Sequence, residues 1–485
     1  MAGSSTREVI TLQFGHYSNF VGTHWANIQE SSFCYDPSSS SKKDISHDVL
    51  FREGLTLRGE QTYTPRLLIF DLKGSLRNLP RYGTLYKTTT YGNESLWSGN
   101  VSVHECKPEP KNEFLMDLEE ELMEFQCDTN SISDSETLDR PSISSFTEED
   151  ERPLRDKFYN LDQDISVWSD FLGTSLHPKS IQLIRDFCHE EGSNPFDVFG
   201  YGQHLAKEEH FYDEFENNLH FFVEECDSLQ GFQIFTDVSD GFGGLSSQIL
   251  EELKDEYSAK SFISFGLSPA QCLNGTNKKA ALRILNSALS YGRLSEFSDL
   301  FVPLSLASET WPHPGPAREF PLLIYQSAVV RGIPTSLVCT SSRNIRAQTS
   351  LQNDSSFEAC SSASEIVHAF LRNLNPNASS SCWNVNQACI VKPPFPNIFT
   401  PKVTADGFVM EGYTRPKSCG VNLTSVLSCL ETNSGISDML LSLVHWAKKV
   451  DIRKHHVFLE SGTEVESFNG ILEELSSLSQ RYKNP

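Results

Sequence analysis

The sequence predicts an α/β fold in which a parallel sheet carries helices on both faces. The run RLLIF (66–70) is continuously apolar, which is typical of a strand buried on both sides. GFQIFTDV (231–238) and SFISFGL (261–267) indicate two further strands, and the segment between them has helical periodicity. A strand, a helix and a strand in this order form a parallel βαβ unit, which is typical of an α/β sheet.

Composition indicates a chain with a substantial core and argues against two classes of function. Hydrophobic residues make up 38% of the 485 residues, a length that suits about two to four domains. Asp and Glu number 64 against 40 Lys and Arg, which gives a net charge of −24. Such a charge argues against a nucleic-acid partner, whose phosphates are neutralised by Lys and Arg. It also argues against direct adhesion to anionic lipid.

Targeting signals and cysteine usage point to the interior of the cell. No run approaches the roughly 18 apolar residues that a membrane span needs. The start, MAGSSTREVITLQF, has no basic stretch followed by an apolar run. The 12 cysteines form no C-x-x-C pair, so we expect reduced thiols and a soluble intracellular protein.

The first half of the chain contains two predicted strands and an acidic insertion. A strand is expected at 6–14, and a Gly-bounded turn and an apolar-periodic segment follow it. The second strand (66–70) ends in Asp71-Leu72-Lys73-Gly74. Residues 107–165 are acidic and rich in serine, so they cannot bury enough apolar surface to offset their ordering entropy. This insertion is either a solvated loop or a regulatory phosphorylation tail.

A Gly-rich stretch lies near the middle of the chain. The segment 216–229 predicts a helix whose apolar face carries Leu219, Phe222, Val223, Cys226 and Leu229. After the strand at 231–238 comes the loop SDGFGG (239–244), and the next helix is expected at 246–257. Ligands of open α/β sheets bind at the carboxyl ends of strands, where this loop lies.

The C-terminal part is predicted to be a smaller α+β region. Residues 311–334 are too rich in proline for a long helix, whereas 365–374 predicts a short one. Two helices are expected to close the chain, at 432–451 and 463–482. The chain therefore divides into a first part of the sheet domain (1–106), the acidic insertion (107–165), the rest of the sheet domain (166–310) and the C-terminal region (311–485).

Three segments, in the same order, resemble the nucleotide-binding domain of tubulin. They are REVITLQFGHYSNFVGTHW, YTPRLLIFDLKGSLRNL and EECDSLQGFQIFTDVSDGFGGLSSQILEELKDEYSAKSFISFGL. Strings such as VWSDFL, LHFFVEECDSLQGFQI and the DGF loop resemble, as a set, the Misato family of tubulin-like proteins. The resemblance implies a tubulin-like, Rossmann-type parallel sheet with helices on both faces and a smaller α+β C-terminal part.

The resemblance also implies a nucleotide pocket. Asn286, in LNSALS, matches the Asn with which tubulin reads the guanine base. No catalytic and no metal-binding residue is implied. The implied cofactor-binding residues are Gly15, His16, Ser18, Asn19, Asp71, Gly241, Gly243, Gly244 and Asn286.

Several residues depart from tubulin in ways that weaken this pocket. The substitutions in the first two loops are His16 for Gln, Tyr17 for Cys, Ser18 for Gly and Lys73 for Glu. The replaced Glu helps to organise magnesium, and a Lys cannot bind a cation. In the third loop Asp240 adds negative charge where phosphates would lie, and Phe242 adds bulk. We therefore expect a degenerate pocket without a cofactor, with GTP as the alternative.

Each pocket residue also has a structural interpretation. The glycines at 241, 243 and 244 can cradle phosphate or can permit a tight turn and close packing. Asn286 can read a base or can cap a turn, and Asp71 can join a magnesium shell or be neutralised by Lys73. His16 can contact phosphate or can be a satisfied structural histidine.

The Misato resemblance implies a non-catalytic protein that regulates mitochondrial distribution, morphology and network formation or fusion. It implies a cytoplasmic protein with a peripheral fraction on the mitochondrial outer membrane. Because the net charge is −24, we expect attachment through a protein partner at that surface. Tubulin and the cytosolic chaperonin are further candidate partners. The alternative is a GTP-binding, tubulin-like GTPase or a tubulin-biogenesis factor.

The chain resembles a shortened form of the family. In tubulin-like folds a long central helix should follow LFVPLSL (300–306), and none is recognisable. Internal residues are expected to be missing around Tyr325 and Gln326.

Overall fold

The structure is a computed structural model. It describes residues 7–33, 45–55, 61–83, 167–189, 194–268, 278–305 and 435–483, with short stretches between 323 and 431 and a few isolated residues elsewhere. The predicted insertion at 107–165 lies outside the described residues except for Leu115 and Met116. The predicted helix at 365–374 lies outside them except for residues 365, 368 and 369.

The described strands fall into one large sheet and three small ones. They are β1 (Val9–Phe14), β2 (Phe51–Leu55), β3 (Gln61–Pro65), β4 (Leu67–Lys73), β5 (Ile181–Cys188), β6 (Gly231–Asp237), β7 (Ser261–Ser268), β8 (Leu300–Ser305), β9 (Leu323–Ser327), β10 (Val329–Val330), β11 (Thr335–Thr340), β12 (Ser379–Asn384), β13 (Cys389–Ile390), β14 (Leu423–Thr424) and β15 (Leu427–Glu431). The described helices are α1 (His16–Ser31), α2 (Phe199–Ala206), α3 (Glu209–Glu224), α4 (Gly241–Glu256), α5 (Lys278–Phe297), α6 (Gly435–Val450), α7 (His456–Glu460) and α8 (Val465–Lys483).

The large sheet has the order β10-β8-β7-β6-β1-β4-β5. Six of its strands run parallel, and the short β10 pairs antiparallel with β8. The strands predicted at 66–70, 231–238 and 261–267 are β4, β6 and β7. The prediction of a parallel α/β sheet is therefore confirmed. A separate four-stranded mixed sheet, β12-β11-β15-β9, follows in the C-terminal part.

The two faces of the large sheet are buried against different elements. On one face, alternate residues such as Leu12, Phe70 and Phe232 join a core that α4 and α5 complete. The rings of Phe14 and Phe70 stack there with centroids 4.5 Å apart. On the other face, Ile69 packs in a smaller cluster with Trp168. This alternation places helices on both faces, as the sequence predicts.

Helix α4 begins at Gly241, five residues before the predicted start at 246. The Asp240 side chain accepts a hydrogen bond from the Phe242 amide at 2.9 Å and so caps the helix. The predicted loop 239–244 is thus largely the first turn of a helix. The prediction was wrong because glycine was taken as a loop former, whereas here it forms a helix–helix contact.

Helix α3 also differs from its prediction. It spans Glu209–Glu224 rather than 216–229, because the buried Phe211 and Phe215 extend the apolar face toward its N-terminus. Leu219 and Phe222 are buried as predicted. Cys226 and Leu229 lie beyond the end of the helix.

The two predicted C-terminal helices are confirmed as α6 and α8. Their apolar side chains, including Leu440 and Leu472, belong to the same core as the first sheet and α5. The end of the chain is therefore an additional layer on the sheet domain, although the sequence separates the two by more than a hundred residues.

Glycines allow α2 and α5 to approach the first turn of α4 closely. A Cβ atom at Gly244 would collide with the backbone carbonyl oxygen of Phe199 in α2, and one at Gly243 would collide with the Ser290 hydroxyl in α5. A Cβ atom at Gly202 of α2 would collide with the backbone of Gly241. These glycines are required by packing between helices.

We predict that Gly244→Ala lowers the free energy of unfolding by about 1–3 kcal/mol, because the backbone of α2 must move to accommodate the methyl group. The measurement is urea unfolding followed by circular dichroism. Gly470→Ala is the matched control, since Gly470 is a glycine of α8 whose added methyl group would meet no atom within 4 Å. That change is expected to be neutral or stabilising by up to about 1 kcal/mol. Equal effects of the two substitutions would contradict the packing role.

Candidate functional site

The predicted pocket residues converge at the carboxyl edge of the large sheet. Phe14, the last residue of β1, pairs with Phe70 of β4 on one side and with Thr236 of β6 on the other. The residues that follow these three paired positions are therefore Gly15 after β1, Asp71 in β4 and Asp237 in β6. Helix α1 begins directly after Gly15, so its N-terminus lies between two acidic side chains.

Asp237 lies at the centre of the site, although sequence analysis did not select it. Its Oδ2 accepts a hydrogen bond from the Tyr17 amide at 3.0 Å. Its Oδ1 accepts from the Ser18 amide at 2.8 Å and from the Ser18 hydroxyl at 2.6 Å. The backbone donors at the start of α1 are thus bound to a carboxylate of the same chain. The only sequence signal was an acid at the end of a predicted parallel strand.

Burial raises the pKa of Asp237 to about 7, against its ordinary value of 3.8. The hydrogen bonds from Ser18 and Tyr17 and the nearby His16 oppose this rise. The pKa of Asp240 is raised well above 3.8, first by burial and then by the charge of Asp237. The pocket therefore concentrates acidic groups whose burial favours the protonated, uncharged form.

Asp71 is completely buried and accepts hydrogen bonds from four groups. Its Oδ1 accepts from the Leu72 amide at 2.7 Å. Its Oδ2 lies 2.7 Å from Trp168 Nε1, 3.0 Å from Asn19 Nδ2 and 3.1 Å from His16 Nδ1. Sequence analysis missed Trp168, which belongs to a distant 3₁₀ turn and carries no local signal for this contact.

Burial alone would raise the pKa of Asp71, but the hydrogen bond from His16, its charge and the hydrogen bonds from Asn19 and Leu72 outweigh it, so the pKa is lowered. The structure thus pairs Asp71 with His16, and the side chain of Lys73 is exposed. The His16 ring also contacts the ring of His189 at a tilted angle, with centroids 3.8 Å apart.

Gly241, Gly243 and Gly244 are buried in the first turn of α4. The Gly241 amide donates to the Phe196 carbonyl at 3.0 Å, and the Phe242 amide donates to Asp240. The Phe242 ring is buried and packs edge-on against Phe196 at 5.0 Å.

Asn286 is fully buried within α5, and backbone groups engage both ends of its amide. Its Oδ1 accepts from the Phe199 amide at 2.9 Å. Its Nδ2 donates to the carbonyls of Asp197 and Ser239 at 2.8 and 2.9 Å. The Asn286 side chain therefore links the N-terminus of α2 to the turn before α4.

Metal-binding clusters and membrane-spanning helices are both absent from the described residues. No group of three His, Cys, Asp or Glu side chains in that part of the chain is arranged to hold a metal ion. None of its helices is long and apolar enough to cross a membrane.

Comparison with known proteins identifies the family. Residues 7–120 match the model of the Misato Segment II tubulin-like domain, and residues 160–331 match that of the Tubulin domain. Protein misato homolog 1 of Bos taurus is 31% identical over 575 aligned positions, which cover 100% of this chain and 99% of that protein. The chain belongs to the Misato family. Its human relative of the same name is 30% identical over 100% of this chain and 99% of its own length. Protein misato of Drosophila melanogaster is 32% identical over 63% of this chain and 53% of its own.

The tubulin-like fold of this Misato family member is therefore established by both sequence and architecture. The alignment with the bovine protein spans 575 positions, whereas this chain has 485 residues. The relative thus contains internal residues that this chain lacks, as expected for a shortened form. Residues 306–322, which follow β8 and where the central helix was expected to begin, lie outside the described residues.

The polar groups at the N-termini of α1 and α4 and on Asn286 have partners within the chain. The first amides of α1 bind Asp237, the first amides of α4 bind Phe196 and Asp240, and the Asn286 amide binds backbone. A phosphate at either helix N-terminus would have to displace one of these groups.

We predict opposite pH dependences for the two buried acids. Because the folded pKa of Asp237 lies above its unfolded value, the folded state binds more protons, and its contribution to stability falls as pH rises from about 4 to about 7. The unfolding free energy of the native chain, relative to Asp237→Asn, should fall over this range by at most about 1.4 kcal/mol per pH unit.

Asp71→Asn is the matched control. The folded pKa of Asp71 is lowered, so its stabilisation is present above pH 3.8 and is lost only as pH falls below that value. The titration of Asp71 itself should contribute no slope to the difference from the native chain between pH 5 and about 7. Urea unfolding at a series of pH values measures both differences, and a flat profile for Asp237→Asn would contradict the first prediction.

Proposed function

We propose that this Misato family member is a non-catalytic tubulin-like protein that regulates mitochondrial distribution, morphology and network formation or fusion. The observation that carries the non-catalytic half is the start of α4. Its glycines are buried against α2 and α5, and its first amides already have partners in the chain. A Gly-rich segment used in this way offers no open cradle for phosphate.

The engagement of Asn286 supports the same proposal. A base reader needs amide atoms directed at the ligand, whereas this side chain makes three hydrogen bonds to backbone while fully buried. Freeing it would leave those backbone groups unpaired, at a cost of about 1–3 kcal/mol for each buried group. The residue is better suited to hold α2, α4 and α5 together than to bind guanine.

The mitochondrial half of the proposal rests on the Misato resemblance. In this proposal the protein is cytoplasmic, with a peripheral fraction on the mitochondrial outer membrane. A net charge of −24 opposes direct binding to anionic lipid, which favours attachment through a protein partner. Tubulin and the cytosolic chaperonin are further proposed partners.

The second candidate is a GTP-binding, tubulin-like GTPase or a tubulin-biogenesis factor. The parallel order of β4, β1, β6 and β7, with a helix following β1 and β6, favours it because this is the frame on which tubulin-like domains bind nucleotide. The two candidates differ in one property, which is stoichiometric binding of GTP.

We predict that the purified chain contains no guanine nucleotide and binds no GTP up to millimolar concentration, with or without magnesium. Nucleotide content is measured by chromatography after denaturation, and affinity by titration calorimetry. Purified tubulin in the same assays is the positive control. Stoichiometric binding with magnesium-dependent turnover would establish the second candidate instead.

We further predict that carbonate at high pH releases the mitochondrial fraction completely, because a protein partner and not a span holds it there. An integral outer-membrane protein in the same extract is the control and should stay in the pellet. Depletion of the protein is expected to alter the mitochondrial network. A carbonate-resistant fraction would contradict peripheral attachment, and an unaltered network would contradict the mitochondrial role.

A further inference from the structure

We infer that His16 and His189 form a pH-sensitive contact, which holds the end of β5 against the start of α1 as long as no more than one of the two rings is protonated. Below about pH 6.5, where imidazole takes up a proton, a second charge is expected to separate the rings. The inference goes beyond the proposed function, because it concerns a change of structure and involves no nucleotide or partner.

A β-bulge brings the two rings together. The pairing of β5 with β4 skips from Ile184 to Cys188, which lies beside Lys73. The His189 amide then donates a hydrogen bond to the Lys73 carbonyl at 3.0 Å. His16 is the first residue of α1, and its ring meets that of His189 with centroids 3.8 Å apart at an angle of 32°. Bulges redirect side chains at the ends of sheets, and this one places His189 against α1.

Acidic side chains favour a proton on His16. Its Nδ1 lies 3.1 Å from the Oδ2 of Asp71, whose lowered pKa keeps that carboxyl group charged. Asp237 of β6 also interacts electrostatically with His16, and Asp240 before α4 interacts with both acids. The His16 side chain is 19% exposed, so water screens these charges only in part. His16 is therefore the member of the pair that carries the first proton.

The charged residues around His189 belong to the strand ends and to the chain that follows. Lys73 on β4 and Arg185 and Asp186 in the bulge have exposed side chains, whose charges are screened by solvent. Residues 190–191, both glutamates, come next in the sequence and lie outside the described residues. His189 is half-buried, and its ring is in direct contact with the other imidazole.

Two imidazolium rings at this distance repel each other. Like charges about 4 Å apart make the second protonation less favourable by about tenfold or more. Titrations coupled in this way occur in two steps, so the pair should hold two protons only in acid. The Phe187 ring packs against Phe196 and Tyr201, with centroids 4.6 and 5.7 Å apart, and would keep the bulge in place. Acidification is therefore expected to release His189 and not the whole of β5.

Histidine titration tests the coupling. His16→Gln removes one charge and keeps an amide donor for Asp71, and it is expected to raise the pKa of His189 by about one unit. The signals of ¹³Cε1-labelled histidines, assigned by single substitutions, give the pKa values. His220→Gln is the matched control and should change nothing at His189, since His220 is 41% exposed and lies beside Glu256 on α3 and α4. An unchanged or lowered pKa of His189 in the His16→Gln chain would overturn the inference.

Hydrogen exchange tests the release. Protection of the residue 189 amide, which the Lys73 carbonyl holds, is expected to fall by about tenfold between about pH 7.5 and about pH 5 after correction for the intrinsic rate. Mass spectrometry of the peptide that carries this amide gives the protection. His189→Phe keeps a ring but takes up no proton, so its protection should not change with pH. If that variant does not fold, His189→Gln takes its place. No fall in the native chain, or an equal fall in the variant, would overturn the inference.

Discussion

The N-terminus of α1 is held by carboxylates from the two strands that flank β1. Asp237 of β6 binds the Tyr17 and Ser18 amides, and Asp71 of β4 binds His16 and Asn19. Both acids occupy the same register position, one residue beyond the pairing of Phe14. The parallel sheet therefore fixes where the helix begins, and the helix in turn supplies hydrogen-bond donors to two buried acids. If the sheet or α1 moved, a buried carboxyl group would be exposed to solvent or would lose its hydrogen-bond donors.

The two acids show that hydrogen bonding decides whether the pKa of a buried carboxyl group is raised or lowered. Both are buried to a similar extent, yet the pKa of Asp71 is lowered and that of Asp237 is raised to about 7. Asp71 accepts from His16, which can carry positive charge, and from Asn19, Trp168 and the Leu72 amide. Asp237 accepts from neutral donors that compensate less of its desolvation, with Asp240 nearby.

Apolar runs were sufficient to predict the parallel sheet, because strands buried on both faces leave a continuous hydrophobic signal. Helices α6 and α8 were also predicted, and in the structure their buried residues repeat with helical spacing. The candidate site was harder to predict from the sequence than the sheet. The sequence placed the predicted pocket residues at one edge of the sheet, but Asp237 acts through residues some 220 positions away along the chain. Such a contact depends on strand register, and no local pattern encodes it.

The Gly-rich segment has a requirement for glycine that comes from packing between helices. Glycine lets a backbone approach another group, whether that group is a phosphate or a neighbouring helix. In this chain the close approach is made by α2 and α5, through Phe199 and Ser290. A packing contact of this kind requires glycine whether or not a ligand is bound. The Gly residues at 241, 243 and 244 are therefore accounted for by the fold itself. The pocket's chemistry must be judged from its polar donors, and those near α1 and α4 are bound to the chain's own groups.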